Sequence, residues 1–175
     1  MRDLRRILTG RPVEVRFVPS PRAYRGRLHT QGARGAEIHG ASLVRRRMIV
    51  LDEQLLSDPP ELGRILVHEL FHFVWARLGN AKRRDYERLL RLEWRRRAKG
   101  ELGWSSELVK RRLRSADLAR RSRRWREYVC ESFCDSAAWR LGDLSRHDEF
   151  TLGAKFRAGR RLWLDGLLAE RPLRV

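Results

Sequence analysis

The chain has 175 residues, of which 42% are hydrophobic, so it is long enough to form one globular domain over residues 1–175. No apolar run reaches the length of a membrane span and no apolar signal core follows the N-terminal charges, so we expect a cytoplasmic protein. The 40 Lys and Arg against 22 Asp and Glu give a net charge of +18, which favours an anionic partner such as nucleic acid or an acidic protein.

The first third of the chain predicts a small β-sheet. Residues 1–9 are consistent with a short helix, and residues 13–18 alternate between apolar and polar side chains as a half-buried strand does. A turn-rich segment at 31–35 separates this region from two further predicted strands at 36–43 and 48–51. A sheet therefore precedes the most informative helix of the sequence.

That helix is predicted at residues 59–79. Asp58 is a favourable N-cap, Pro59 occupies the first helical position, and Glu61 completes a capping-box arrangement. Gly79 and the following asparagine end the pattern. The side chains between these ends are apolar on nearly every side, which indicates a helix buried in a core.

The same helix contains the sequence HELFH, in which two histidines lie four residues apart. This spacing places His68 and His72 on one face of a helix, where both imidazoles can bind one metal ion, with Glu69 beside them. This pattern predicts a site for one Zn²⁺ per chain, with Glu69 as a general base.

An arginine-rich insert follows, at about residues 81–124. Two helices are predicted in it, one at 81–99 and one that Ser105 or Ser106 caps and that extends to about residue 114. The arginines provide an anion-binding face or pair locally with neighbouring glutamates on a solvated helical face. A last helix at about 150–169 is predicted to pack against the core.

The segment 125–139 is predicted to be a helix that completes the metal site. A catalytic zinc requires a third protein ligand, and Glu131 can supply it, while Asp135, one turn later, can accept the outer N–H of His68. Asp135 or His147 can also serve as the third ligand. Cys130 and Cys134 are four residues apart, a spacing that disfavours a disulfide; they are interpreted as two buried small hydrophobes, with metal ligation as the alternative.

HExxH followed by ExxxD on a later helix resembles the gluzincin clan of zinc metallopeptidases, here in a minimal single-domain form. The resemblance covers residues 68–72 and 131–135 and the order of sheet, first helix and second helix. It implies an α+β, zincin-like fold, mainly helical, with a small N-terminal mixed β-sheet packed on the HExxH helix. It also implies His68, His72 and Glu131 as zinc ligands and Glu69 as the catalytic carboxylate.

The predicted reaction is hydrolysis of a peptide or protein substrate by metal-activated water, with endopeptidase activity favoured. Tyr128, His147 and His39 are the candidates for a second donor to the oxyanion. Residues 38–41 are the candidate sheet edge for binding an extended peptide, as the edge strand does in zinc peptidases of this type. The alternative function is a basic, nucleic-acid- or ribosome-associated binding protein with a structural or inactive zinc site.

Overall fold

The computed structural model describes residues 4–25, 27–29, 35–170 and 172–175, and it is a mixed α+β structure in which helices predominate. The N-terminal elements are α1 (Leu4–Ile7), β1 (Leu8–Thr9), β2 (Glu14–Val18), β3 (Arg22–Tyr24), β4 (Arg27–His29), β5 (Ala36–Glu37), β6 (Gly40–Leu43) and β7 (Met48–Asp52). The later elements are α2 (Pro59–Arg77), α3 (Asn80–Arg95), α4 (Trp104–Lys110), α5 (Ser115–Ala119), α6 (Arg123–Leu141), α7 (Ala154–Glu170) and β8 (Leu173–Arg174). None of the described helices is both long enough and apolar enough to cross a membrane.

The described strands form three small sheets. The central one has the strand order β2-β7-β6 and is mixed, because β2 runs parallel to β7 and β6 runs antiparallel to it. β3 pairs with β4 and β5 in an antiparallel sheet. β1 pairs in parallel with β8, which has only two residues and is too short to be predicted from a sequence pattern. The predicted α+β class with a small N-terminal mixed sheet is confirmed. The predicted turn at 31–35 lies outside the described residues except at its last position.

The mixed sheet packs on α2 through the alternate side chains of β7. Ile49 and Leu51 are fully buried and form a cluster with apolar side chains of α2, among them Ile65 and Phe73. Ser42 of β6 lies opposite Ile49 in the antiparallel register, so its side chain lies on the same face, toward α2. β6 is an edge strand of this sheet and lies next to α2, but it overlaps the predicted edge at 38–41 only at Gly40 and Ala41.

The limits of α2 follow its capping residues. The Asp58 carboxylate accepts a hydrogen bond from the backbone N–H of Glu61 at 3.2 Å, and the helix ends at Arg77, so the predicted start is confirmed and the end lies within two residues of the prediction. The Glu61 carboxylate does not complete the capping box, because it pairs with Arg64 at the next turn. Gly79 then caps the start of α3.

α2 and α6 pack closely and form the main core. Phe71 of α2 contacts Phe133 of α6, with ring centroids 5.6 Å apart, and Val67 lies in the same cluster. Small residues of α6, including Ala137 and Ala138, are buried in this cluster and allow close approach of the two backbones. This approach brings polar side chains of α6 within reach of the α2 histidines.

The basic insert differs from its prediction after residue 99. α4 begins at Trp104 with Gly103 as its N-cap, so neither Ser105 nor Ser106 caps it, and the chain turns after Lys110 before the separate helix α5. The Asp135 carboxylate accepts a hydrogen bond from the Ser106 N–H at 2.9 Å and provides the missing cap from α6. A Cβ on Gly103 would lie only 2.3 Å from this carboxylate, so the close approach requires glycine.

A fully buried arginine joins the insert to α7. The Arg160 guanidinium donates to the carboxylate of Glu93 at 2.7 Å and to that of Glu101 at 2.7 Å. Glu101 also accepts from Lys110 at 2.7 Å and from the Tyr128 hydroxyl at 2.5 Å. Two carboxylates and two cations therefore balance in a region from which solvent is excluded.

Replacing Arg160 with Ala is expected to reduce the free energy of unfolding by about 3–5 kcal/mol, because Glu93 and Glu101 lose a buried ionic partner. Urea unfolding followed by circular dichroism measures the change. Arg161→Ala, at an exposed position of the same helix, is the matched control and should have a much smaller effect. Equal effects for the two variants would contradict the assigned role of the buried cluster.

Candidate metal centre

The two histidines of α2 direct the same ring atom to one point. They lie one helical turn apart, and the Nε2 atoms of His68 and His72 are 3.2 Å apart. His68 is buried, and His72 is partly buried where α2 faces α6. Two imidazole nitrogens are thus available to a shared ion.

Glu131 of α6 completes a triangle of donor atoms. Its Oε2 atom lies 3.4 Å from His68 Nε2 and 3.8 Å from His72 Nε2. Tetrahedral zinc with metal–ligand bonds of 2.0–2.1 Å requires ligand atoms about 3.3–3.4 Å apart. The three side chains therefore lie near the separation that a tetrahedral ion needs, and they supply three of its four ligands.

Each histidine has a partner on its other ring nitrogen. His68 Nδ1 is 2.8 Å from Asp135 Oδ1, and His72 Nδ1 is 3.6 Å from the Cys130 sulfur. A carboxylate on Nδ1 fixes the imidazole orientation and directs the Nε2 lone pair toward the donor triangle. The structure thus places Asp135 behind His68, the position expected from its spacing after Glu131, rather than at the Nε2 atoms where a third ligand would lie.

The carboxylates of this site lie in a largely buried environment, where their negative charge is unfavourable unless a cation is nearby. Burial alone lowers the pKa of His68, but the carboxylates of Asp135 and Glu131 outweigh it and raise that pKa well above its usual value. Burial likewise lowers the pKa of His72, while the Cys130 contact and Glu131 raise it to about 9. The electrostatic environment therefore favours positive charge between the rings, which either protons or a metal ion can supply.

Glu69 lies beside the donor triangle and is held by a strand residue. It is buried, and its Oε2 atom is 2.5 Å from the Ser42 hydroxyl, which also lies 2.7 Å from the Glu69 carbonyl oxygen. A Cβ on Gly40 would be 2.9 Å from Glu69 Oε1, so this part of β6 runs directly along the carboxylate. Sequence reasoning missed Ser42, because only the strand register shows that it faces α2.

Tyr128 is not brought to the donor triangle. Its hydroxyl donates to Glu101 in the buried cluster around Arg160, and burial followed by the Glu101 charge raises the pKa of Tyr128 well above its usual value. A hydroxyl that donates this internal hydrogen bond cannot at the same time donate to an oxyanion at the triangle. The structure therefore corrects the interpretation of Tyr128 as an oxyanion stabiliser.

The two remaining predicted histidines, His147 and His39, lie outside α2 and outside the donor triangle. His147 Nε2 is 3.4 Å from Glu61 Oε2, and its Nδ1 accepts from the Glu149 backbone N–H at 3.2 Å. Glu61 precedes His68 by seven residues, or about 10 Å along the helix, so His147 is not placed as the third metal ligand. The His39 side chain is 66% exposed, with Nδ1 4.0 Å from an Asp52 carboxylate oxygen. Both histidines influence Glu61 electrostatically and contact none of the donor atoms.

The two cysteines are free thiols, in agreement with the prediction of no disulfide. Cys134 is fully buried in the core, as a small hydrophobe would be, whereas Cys130 is partly exposed and contacts His72. The neighbouring Cys134 first, and His72 in addition, lower the pKa of Cys130 to about 6. Cys130 therefore has polar contacts that the interpretation as a core hydrophobe did not include.

No family model, no curated protein and no solved structure matches this chain. The resemblance to the gluzincin clan thus rests on the residues and geometry described above.

Replacing Asp135 with Asn is expected to weaken zinc binding about 10–100-fold, because His68 loses the carboxylate that fixes its ring and raises its basicity. Competition with a chromophoric chelator measures the affinity. Asp165→Asn, which removes a carboxylate paired with Arg140 on α6, is the control and should leave zinc affinity unchanged. Unchanged zinc affinity in a folded Asp135→Asn variant would show that Asp135 does not support zinc binding.

Proposed function

We propose that this protein is a zinc-dependent metallopeptidase. The observation that carries the proposal is the triangle of His68, His72 and Glu131 donor atoms, 3.2–3.8 Å apart, together with a buried Glu69 carboxylate whose charge raises the pKa of both histidines. A structural zinc site needs four protein ligands and no general base, whereas this group offers three ligands and an adjacent carboxylate. Such a combination is typical of hydrolytic zinc sites.

The order of elements also supports a zincin-like fold of the gluzincin type. A mixed sheet precedes the HExxH helix α2, and the third ligand comes from the later helix α6, which packs against α2. The outer carboxylate Asp135 lies one turn after Glu131, as the ExxxD pattern requires. The basic insert, α3 to α5, lies between the two helices that supply the ligands.

The chain's own residues account for the proton transfers of peptide hydrolysis. When bound, zinc supplies a Lewis acid that lowers the pKa of a coordinated water toward neutrality. Glu69 accepts the proton from the attacking water and then donates it to the leaving amine, since it is the carboxylate next to His68 in the chain and its charge acts on both histidines. The aspartate behind His68 holds that imidazole in the ligating orientation throughout.

The edge strand β6 is the proposed binding site for the substrate backbone. In its described sheet, β6 pairs with β7 on one side, which leaves its other edge available to an extended peptide. Ser42 and Gly40 bring this strand against Glu69, so a peptide added to it would lie next to the general base. A strand open along its edge suits cleavage within a chain, which favours endopeptidase activity.

Zinc content and hydrolysis of an unfolded protein substrate, measured in parallel, test the proposal. Glu69→Gln should retain about one zinc per chain and lose hydrolysis by about 10²–10⁴-fold, because the amide cannot accept the water's proton. Glu131→Ala should lose zinc and hydrolysis together, because one of the three donors is gone. Wild-type hydrolysis by the Glu69 variant, or full zinc retention by the Glu131 variant, would contradict the assigned roles.

Ser42 is a positioning residue for Glu69 in this proposal. A hydroxyl has one proton, so Ser42 donates either to the Glu69 carboxylate or to the main-chain carbonyl at any one time. An ionised carboxylate is the stronger acceptor and takes that bond while Glu69 acts as a base. Once Glu69 is protonated, the hydroxyl can turn to the carbonyl oxygen, so both protonation states of Glu69 keep a partner.

Ser42→Ala is expected to lower kcat about 10–100-fold, which corresponds to losing a hydrogen bond to a charged group. The zinc content and KM should not change, because Ser42 contacts the general base rather than the metal ligands. Ser42→Thr keeps a hydroxyl and should recover part of kcat. An unchanged kcat in Ser42→Ala, or an equal loss in both variants, would exclude a positioning role for the hydroxyl.

Anion binding is the second candidate function, and a cleft lined by like charges favours it. Arg11, Arg47, Arg77 and Arg174 line a cavity of about 540 Å³ beside the C-terminal end of α2. Burial first, and then the charge of the neighbouring Arg47, lower the pKa of Arg77. In the insert, by contrast, many arginines are paired with acids, among them Arg91 with Glu87 and Arg111 with Glu107.

Binding of a fluorescent single-stranded RNA should weaken steeply as salt concentration rises, because each neutralised phosphate releases counterions. Arg77→Gln should weaken binding more than Arg120→Gln, an exposed control with the same change in net charge. Equal effects would indicate a diffuse field without a specific cleft. A salt-independent or undetectable interaction would contradict nucleic-acid binding.

A further inference from the structure

A second group of donor atoms lies on the opposite edge of the His72 ring. Cys130 and Cys134 are one turn apart on α6, and their sulfurs and one His72 ring nitrogen all lie within 4.8 Å of one another. His72 Nδ1 is 3.6 Å from the Cys130 sulfur, whereas the Nε2 atom faces His68 and Glu131. One imidazole therefore adjoins two different donor sets through its two nitrogens.

We infer that Cys130, Cys134 and Nδ1 of His72 form a second cation site, which takes a thiophilic ion such as Cd²⁺ or Cu⁺. Thiolates bind soft ions such as Cu⁺ and also bind zinc, whereas the two imidazoles and one carboxylate of the first site suit zinc rather than a soft ion. Around a tetrahedral zinc-sized ion, with metal–sulfur bonds of 2.3 Å and metal–nitrogen bonds of 2.0–2.1 Å, sulfur and nitrogen atoms lie about 3.6 Å apart. The distance from His72 Nδ1 to the Cys130 sulfur has this value.

The surroundings also suit an ion better than a disulfide. Both sulfurs are free and lie on one helix face, a spacing at which disulfides rarely form. Cys134 is fully buried and Cys130 partly exposed, so the site has an inner ligand and an outer one through which an ion can enter. Binding needs both sulfurs as thiolates and a lone pair on His72 Nδ1, so any protons held by the thiols and by that nitrogen are released to solvent.

The two sites are coupled because they share His72. A neutral imidazole carries one nitrogen lone pair and one N–H, so an ion on Nδ1 leaves Nε2 protonated unless the ring loses its second proton. A soft ion at the cysteines therefore weakens zinc retention at the first site, and zinc at the first site weakens the soft ion in the same proportion. The cysteine site does not require that the protein hydrolyses peptides.

Titration of the reduced full chain with Cd²⁺ tests the second site. The thiolate-to-cadmium charge-transfer absorption should rise and saturate at about one Cd²⁺ per chain, since three donors bind one ion. His68→Ala, which disables the first site, should keep this absorption, and Cys130→Ser should lose most of it. Cys134→Ala should also lose it, but Cys130 is the preferred position because its partly exposed side chain tolerates replacement better.

Circular dichroism verifies that each variant is folded. No charge-transfer absorption in the wild type, or undiminished absorption in folded Cys130→Ser, would overturn the proposal. Loss of the absorption in folded His68→Ala would also overturn it, because the thiols would then depend on the first site. Peptide hydrolysis is measured separately, so failure of the peptidase proposal leaves the cadmium result interpretable.

Discussion

The contact between the His68 imidazole and the Asp135 carboxylate is the interaction on which the rest of the site depends. It joins α2 to α6, and the second carboxylate oxygen extends the link to α4 by accepting from Ser106 N–H. The same contact orients His68 Nε2 toward His72 and Glu131. Core packing alone would leave the rotation of the imidazole free, whereas this buried charged contact fixes it.

Neighbouring positions of α6 serve different polar groups. Glu131 and Asp135 face the histidines of α2, while Tyr128, Ser132 and Ser136 contact the buried cluster of Tyr86, Glu101 and Arg160. The small serine side chains allow Tyr86 and Arg160 to approach the α6 backbone closely. α6 is therefore held by a closed ionic cluster next to the residues that it presents to the candidate metal centre, which limits the movement of Glu131 relative to α2.

Local spacing explains which parts of the site were predictable from the sequence. His68, Glu69 and His72 follow from one helical turn, and Glu131 with Asp135 follows from another, so each set is recognisable within five residues. Ser42 was not predictable, because its role depends on a strand register that a short edge strand does not encode locally. Tyr128 precedes Asp135 by two turns on the same strip of α6, but the partner at that level is Glu101 of the insert.

The limits of the predicted helices were more accurate than those of the connecting segments, for a similar reason. α2 and α6 each have an N-cap side chain that accepts a hydrogen bond from the first turn, and their limits fell within a few residues of the prediction. α4 lacks a local side-chain cap and begins where Asp135, 29 residues later than Ser106, supplies the acceptor. A cap that comes from another helix leaves no signal at the start of the helix that it stabilises.

Two buried ionic groups among the described residues resolve the same electrostatic problem differently. Glu93 and Glu101 are neutralised by Arg160 and Lys110, which are covalent parts of the chain. Glu131 and Asp135 instead have imidazoles as their ionic partners, and these carry positive charge only while they hold extra protons. A divalent ion supplies that charge with both rings neutral, and neutral rings have the lone pairs needed to bind it. The carboxylates that raise the pKa of His68 are thus the groups whose negative charge a bound metal ion would balance.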